Sequence, residues 1–103
     1  MTDQQDKTPV NGGAGIIGVV GLGNAGSAIA AAFAALGVVH GYDQNAGRRD
    51  DAAGKGIITH GHLDGVASQA DVIILSLPHP DISIAVTTQI MAQPIRPKLV
   101  IET

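Results

Sequence analysis

Short apolar runs alternate with helical stretches along most of the chain, and this alternation predicts the order of its elements. Five runs rich in β-branched residues are predicted to be strands, because they are short and bounded by glycine, proline or polar residues. Between them, apolar residues recur at helical spacing in two stretches, and two weaker helical stretches are interrupted by glycine. The predicted strands are residues 16–20, 38–42, 57–59, 72–77 and 99–101. The predicted helices are residues 25–36 and 80–93, with weaker ones at 46–55 and 64–70.

The repeated strand-helix order predicts an α/β fold, a Rossmann-type doubly wound parallel sheet over residues 16–103. Val72 to Leu75 form an unbroken apolar run, which is typical of a strand covered by helices on both faces. Right-handed crossovers predict the strand order 3-2-1-4-5, with a crevice at the carboxyl ends of strands one and four. Residues 1–15 are polar and then glycine-rich, and we expect them to form a flexible leader.

Composition narrows the class of protein. The 103 residues are 45% hydrophobic and 15% charged, which suits one domain with a packed core. The lack of cysteine excludes a disulfide framework, a thiolate metal site and a thiol nucleophile. Six Lys and Arg against nine Asp and Glu argue against a nucleic-acid partner. No apolar run is long enough for a membrane span and no secretory signal is evident, so we expect a cytoplasmic protein without a membrane partner.

The chain contains two matches to the glycine pattern G-x-G-x-x-G, and their contexts differ. The match at residues 13–18 leads into a strand, so we interpret it as accidental. The match at residues 21–26, GLGNAG, follows a predicted strand and opens a helix, which is the order that dinucleotide binding requires. There Gly21 permits a tight turn, Gly23 lets the backbone approach a pyrophosphate, and Gly26 lets the helix pack closely. A glycine-rich turn without a ligand is the alternative.

Asp43 ends the second predicted strand, 22 residues after Gly21. A carboxylate there can accept hydrogen bonds from the ribose hydroxyls of NAD and repels the 2′-phosphate of NADP. The alternative is an aspartate that starts a turn. Arg48 and Arg49 are interpreted as solvated positions beside two aspartates, but an arginine past this strand can also hold a 2′-phosphate. The expected cofactor is therefore NAD, with NADP as the alternative.

Three stretches in order resemble the β-hydroxyacid dehydrogenases, the group that contains 3-hydroxyisobutyrate dehydrogenase, tartronate semialdehyde reductase and 6-phosphogluconate dehydrogenase. They are IGVVGLGNAGSAIA, ADVIILSLP and LVIET, and the resemblance covers residues 16–103. It implies the NAD(P)-binding portion of an oxidoreductase that acts on the CH-OH group of a small β-hydroxyacid. Ala25 stands where the family usually has methionine. By position, the resemblance places the pyrophosphate at Gly21, Leu22, Gly23, Asn24, Ala25 and Gly26, the adenosine ribose at Asp43, and the nicotinamide side at Leu77 and Pro78.

The family's Ser-Thr pair, sixth strand, substrate loop and helical domain with the catalytic lysine do not occur before Thr103. The resemblance thus implies no catalytic residue in this chain, which we expect to meet a small hydroxy acid or semialdehyde only in a longer version. The prephenate dehydrogenase type is a rival, since VVHGYDQN and ADVIILSLP also resemble it. Those proteins usually continue the glycine motif with Gly-Gly-Ser, whereas Gly26-Ser27-Ala28 has one glycine. A non-catalytic nucleotide-binding module is a further alternative.

The four histidines are interpreted as structural or surface residues. His60 and His62 form an H-x-H pair, but no third ligand is evident, so we predict loop histidines and no metal site. His79 follows Pro78 and is predicted to lie in a surface loop. His40, inside the second strand, is expected at a sheet surface.

Overall fold

The structure, a computed structural model, describes residues 15–94, 97 and 99–103. The expected leader lies outside these residues, apart from Gly15. The strands are β1 (Ile17–Val20), β2 (Val39–Tyr42), β3 (Ile58–Thr59), β4 (Val72–Leu75) and β5 (Leu99–Glu102). The helices are α1 (Asn24–Ala34), α2 (Ala46–Ala53), α3 (Leu63–Gln69) and α4 (Pro80–Met91). The predicted order of elements is confirmed, and their ends differ from the prediction by at most two residues.

The strands form one parallel sheet in the order β3-β2-β1-β4-β5. β1 lies in the centre, where Ile17 pairs with Val39 of β2 and with Val72 of β4. The predicted Rossmann-type α/β fold and its strand order are therefore confirmed. Because the chain moves outward from β1 in both directions, a crevice opens beyond the carboxyl ends of β1 and β4.

Helices cover both faces of the sheet, as the apolar strands predict. Successive residues of β1 point to opposite faces of the sheet and pack in two separate hydrophobic cores. Val19 packs in the core between the sheet and α1 and α2. Val20 packs in the core between the sheet and α3 and α4. On this second face, a Cβ on Gly18 would lie 2.6 Å from Val66 Cγ1. Gly18 therefore lets α3 pack directly on β1. This glycine ends the accidental G-x-G-x-x-G match at residues 13–18, and its role is in packing.

Two predicted details are wrong. The fourth strand is predicted to end at Leu77 but ends at Leu75. Pro78, which follows Leu77, has no N–H to donate to a neighbouring strand, so regular pairing stops before it. Leu36, predicted to be the last residue of the first helix, lies beyond α1 and is 67% exposed, because the chain turns where the Leu36 N–H donates to Phe33 O. Within the described residues, no helix combines the length and apolar character needed to cross a membrane.

Candidate functional site

A cleft of about 560 Å³ opens at the carboxyl ends of β1 and β4, where the sheet order predicts a crevice. The loops that follow β1, β2 and β4 meet there, together with the first turns of α4. The residues lining it are Val20, Gly21, Gly23, Asn24, Ala25, Gly26, Tyr42, Asp43, Gln44, Arg48, Ser76, Leu77, Pro78, Ile82 and Val86.

Two glycines let the turn after β1 lie against the ends of β2 and β4. Gly21 has a φ of +99°, in the left-handed region that favours glycine, and its N–H donates to Tyr42 O at 2.9 Å. A Cβ on Gly21 would overlap with the carbonyl oxygen of Ser76. A Cβ on Gly26 would overlap with the carbonyl oxygen of Gly21 and lie 3.2 Å from Ser76 Cβ. Both positions therefore accept only glycine without a backbone shift.

The amino terminus of α1 forms part of the cleft wall. Gly23 is the N-cap and no side chain caps the helix. The N–H groups of a first helical turn have no partner within the helix, and the helix dipole makes this end positive. Since Asn24 and Ala25 line the cleft, this wall has the chemistry that binds a phosphate or pyrophosphate.

Main-chain groups hold the Asp43 side chain in place beside the glycine turn. It is only 7% exposed, and its Oδ2 accepts the Leu22 N–H while its Oδ1 accepts the Asn45 N–H, both at 2.8 Å. The carboxylate therefore ties the glycine turn after β1 to the end of β2. Each carboxylate oxygen has a second lone pair, so Asp43 can still accept a hydrogen bond from a ligand hydroxyl.

Two arginines contact Asp43, which differs from the prediction that they are merely solvated. Arg49 Nη1 donates to Asp43 O at 2.8 Å, and Arg48 Nη1 lies 3.7 Å from Asp43 Oδ2. The reason is that α2 begins three residues after Asp43, so its first turn folds back over the end of β2. Arg48 is 57% exposed in its side chain and lines the cleft, so an anion and a cation share this wall.

Of the predicted site residues, all except Leu22 line the cleft. The Leu22 side chain is 3% exposed and packs in the core with α1 and α2, so only its main chain serves the site, through the bond to Asp43. Leu77 and Pro78 follow β4 and line the cleft on its side of the sheet.

The sequence prediction missed part of the apolar wall beside Leu77. Ile82 and Val86 lie at helical spacing on the same face of α4 as the buried Ile90. Both line the cleft, and Val86 also packs against the core on the side of α3 and α4. Ser76 was missed as well, although its place directly after a parallel strand was a usable signal.

The histidines lie apart from this cleft in the described structure, and one prediction about them is wrong. His40 is 8% exposed rather than at a surface, because α3 covers that face of β2. Its Nδ1 lies 2.8 Å from His60 Nε2. His62 and His79 are exposed, and each is the N-cap residue of a helix whose first turn receives no hydrogen bond from its ring. In residues 15–94, 97 and 99–103, no three His, Cys, Asp or Glu side chains come together as a possible metal site.

Comparison with known proteins identifies the family. A family model described as the NAD binding domain of 6-phosphogluconate dehydrogenase matches residues 16–103. This match begins one residue before β1 and runs through β5, so it includes the whole sheet and the cleft. No curated protein matches the sequence.

Solved structures share the architecture. The 3-hydroxyisobutyrate dehydrogenase of Mycobacterium tuberculosis, solved with L-serine, is 28% identical with a TM-score of 0.76, and the match covers 85% of this chain and 31% of that one. An imine reductase from Myxococcus stipitatus in complex with NADP+ is 20% identical with a TM-score of 0.70, over 84% of this chain and 31% of that one. Its V8 variant, in complex with NAD+, is 20% identical with a TM-score of 0.66, over 70% of this chain and 26% of that one.

The chain thus spans less than a third of these structures, and the imine reductases show the fold alone. The family match spans the sequence of the whole sheet and of the glycine turn that lines the cleft. This chain therefore belongs to the family of the NAD-binding domain of 6-phosphogluconate dehydrogenase, and it is an NAD(P)-binding domain of the dehydrogenase type.

Proposed function

We propose that this chain is the cofactor-binding part of an oxidoreductase that acts on the CH-OH group of a small β-hydroxyacid. The observation that carries the proposal is the pairing, in the lining of one cleft, of a turn that accepts only glycine at Gly21 and Gly26 with a fixed carboxylate, Asp43. Similarity to the 3-hydroxyisobutyrate dehydrogenase of Mycobacterium tuberculosis supports the substrate class. Because this chain spans 31% of that protein, substrate binding is proposed for a longer version only.

The residues of the cleft fit a nicotinamide dinucleotide. Gly21 and Gly26 let the turn after β1 close against Ser76 and against the start of α1, and the uncapped start of α1 offers N–H groups to a pyrophosphate. We assign the adenosine ribose to Asp43, on what we call the adenosine side of the cleft, and the nicotinamide to the wall that includes Leu77 and Pro78. When bound, such a cofactor supplies hydride transfer, and the protein supplies binding and orientation.

NAD is expected to bind more tightly than NADP, because the fixed Asp43 carboxylate opposes a 2′-phosphate. Arg48 reduces this difference, since its guanidinium stands 3.7 Å from the same carboxylate. We therefore expect the substitution Arg48→Ala to weaken NADP binding roughly two- to fivefold, the range for exposed ion pairs, with little change for NAD. Isothermal titration of both proteins with NAD, NADP and ADP-ribose checks the preference and its cause.

Lys55→Ala is the matched control, because Lys55 is an exposed cation just past α2 that lines a small neighbouring pocket, with Arg48, rather than the cleft itself. It should leave both affinities unchanged. Equal affinities of the unmutated chain for NAD and NADP would show that an arginine, rather than Asp43, controls the preference. Failure to bind any of the three ligands would instead favour a non-catalytic module and contradict the proposed function.

The 103-residue chain alone is expected to show no turnover. The ionisable side chains lining the cleft are Tyr42, Asp43 and Arg48, and they come from β2 and α2. Leu77 and its apolar wall lie on the other side of β1, where the described lining residues include the Ser76 hydroxyl but no ionisable side chain to exchange a proton as hydride moves. The measurement is NADH oxidation with a panel of small semialdehydes, beside a version extended through a complete helical domain. Equal rates for the two proteins would refute this assignment.

A further inference from the structure

His40 and His60 form a hydrogen-bonded pair that joins three elements of the fold. His40 Nδ1 lies 2.8 Å from His60 Nε2, and the two ring planes differ by 25°. His40 belongs to β2, and His60 directly follows β3, where its N–H donates to Gly41 O at 3.0 Å. The His60 ring also fills the space beside Gly65 of α3, so that a Cβ on this glycine would overlap with the ring. The pair therefore holds β3 and α3 against β2.

This junction lies close to the adenosine side of the cleft. β3 has only two residues, and β2 pairs with it only at His40 and Gly41, so the side-chain pair is a large part of the connection. Gly41, which accepts the bond from the His60 main chain, is two residues before Asp43. A movement of β3 away from β2 would therefore be transmitted to the carboxylate that fixes the cleft wall.

We propose that the His40–His60 pair is an acid-sensitive latch that positions the adenosine side of the cleft. The hydrogen bond exists when both rings are neutral and also when the pair carries one extra proton, since one facing nitrogen still accepts. A second extra proton places hydrogens on both facing nitrogens, so the bond is lost and two positive charges repel each other. As far as it concerns dinucleotide affinity, the proposal rests on the proposed function.

The surroundings of the pair disfavour its protonation. Burial lowers the pKa of His40, and the nearby His60 lowers this pKa further. Burial also lowers the pKa of His60. In the unfolded chain, by contrast, histidine titrates near about 6.5. The stabilisation from the neutral pair is therefore complete above that pH and is lost progressively as the pH falls below it.

Few ionisable groups belong to the elements packed against the pair. β1 and β3 contain none, and on β2 Tyr42 lies on the same face as His40. α3 carries Asp64, preceded by His62, and both are exposed; Asp64 accepts a hydrogen bond from Gln93 Nε2. Among the described residues no carboxylate is hydrogen-bonded to either ring. A second proton on the pair therefore has no neighbouring negative charge to stabilise it.

The first test needs no ligand. NMR spectra recorded from about pH 7.5 to about pH 5 follow the histidine rings and the amides of Leu22 and Asn45, which donate to Asp43. We expect both amides to shift together with the rings of His40 and His60, and these rings to complete their protonation below about 6.5. Amides that do not follow the pair, or two rings that titrate independently at the ordinary value, would overturn the latch.

The second test measures NAD affinity over the same pH range in two variants. In the unmutated chain the affinity is expected to fall about fivefold or more on acidification. His60→Gln should reduce this fall to less than about twofold, since an amide can pair with His40 in either protonation state. His62→Gln replaces an exposed histidine and should retain the full acid response.

An undiminished acid response in His60→Gln would contradict the latch, and if this variant does not fold, the NMR titration of the unmutated chain decides. Lack of NAD binding even at about pH 7.5 would contradict the proposed function instead. The pH dependence of the Leu22 and Asn45 amide signals would still test the latch in that case.

Discussion

Replacing Gly26 by alanine is expected to abolish dinucleotide binding and to lower the free energy of unfolding by about 3 kcal/mol. The new Cβ would overlap with the carbonyl oxygen of Gly21, a backbone atom in a turn that is itself held against Ser76. Relief requires α1 to move away from β1, which displaces the first-turn N–H groups from the cleft wall. Chemical denaturation measures the stability loss, and titration with NAD measures the binding loss.

Gly54→Ala is the matched control for this substitution. Gly54 has a helical φ of −66° at the end of α2, and a Cβ there would meet its nearest atom at an ordinary 3.4 Å. We expect this variant to bind NAD normally and to be as stable as the unmutated chain, or more stable by up to about 1 kcal/mol. Normal NAD binding by Gly26→Ala would show that the pyrophosphate does not lie at this turn.

Removing the carboxylate of Asp43 is expected to cost about 2 to 4 kcal/mol of stability and to erase the preference for NAD over NADP. Asp43→Ala leaves the Leu22 and Asn45 N–H groups without their acceptor in a position that is only 7% exposed. It also leaves Arg48 without the nearby negative charge, so that the guanidinium is available to a 2′-phosphate. Denaturation and paired titrations with NAD and NADP measure the two effects.

A second substitution separates charge from folding. Asp43→Asn keeps one oxygen acceptor, so we expect a smaller loss of stability than for alanine but the same loss of discrimination. Asp50→Ala removes an exposed carboxylate from α2 and should change stability by less than about 0.5 kcal/mol. If Asp43→Asn retained the full NAD preference, the charge of Asp43 would not be its cause.

The fold was predictable because its signals are local. Apolar runs such as Val72 to Leu75 mark buried parallel strands by their own composition, and GLGNAG marks a strand-to-helix turn by its spacing. Once the elements are known, the rule that crossovers are right-handed predicts the strand order that the structure shows. The positions of Gly21, Gly26 and Asp43 follow from that order, since all three lie at carboxyl ends of neighbouring strands or at the helix after them.

The contacts that make the site work were not predictable in this way, because they join residues far apart in the chain. Sequence alone determined the family fold, the glycine turn and the place of the carboxylate. Only the tertiary structure decided that Leu22 serves Asp43 through its main chain, that Arg48 stands beside that carboxylate, and that Ile82 lines the cleft. It likewise paired His40 with His60, which the sequence predicted to lie at a sheet surface and in a loop. Periodicity reports which side of an element is apolar, whereas these contacts depend on where helices and loops end relative to the sheet.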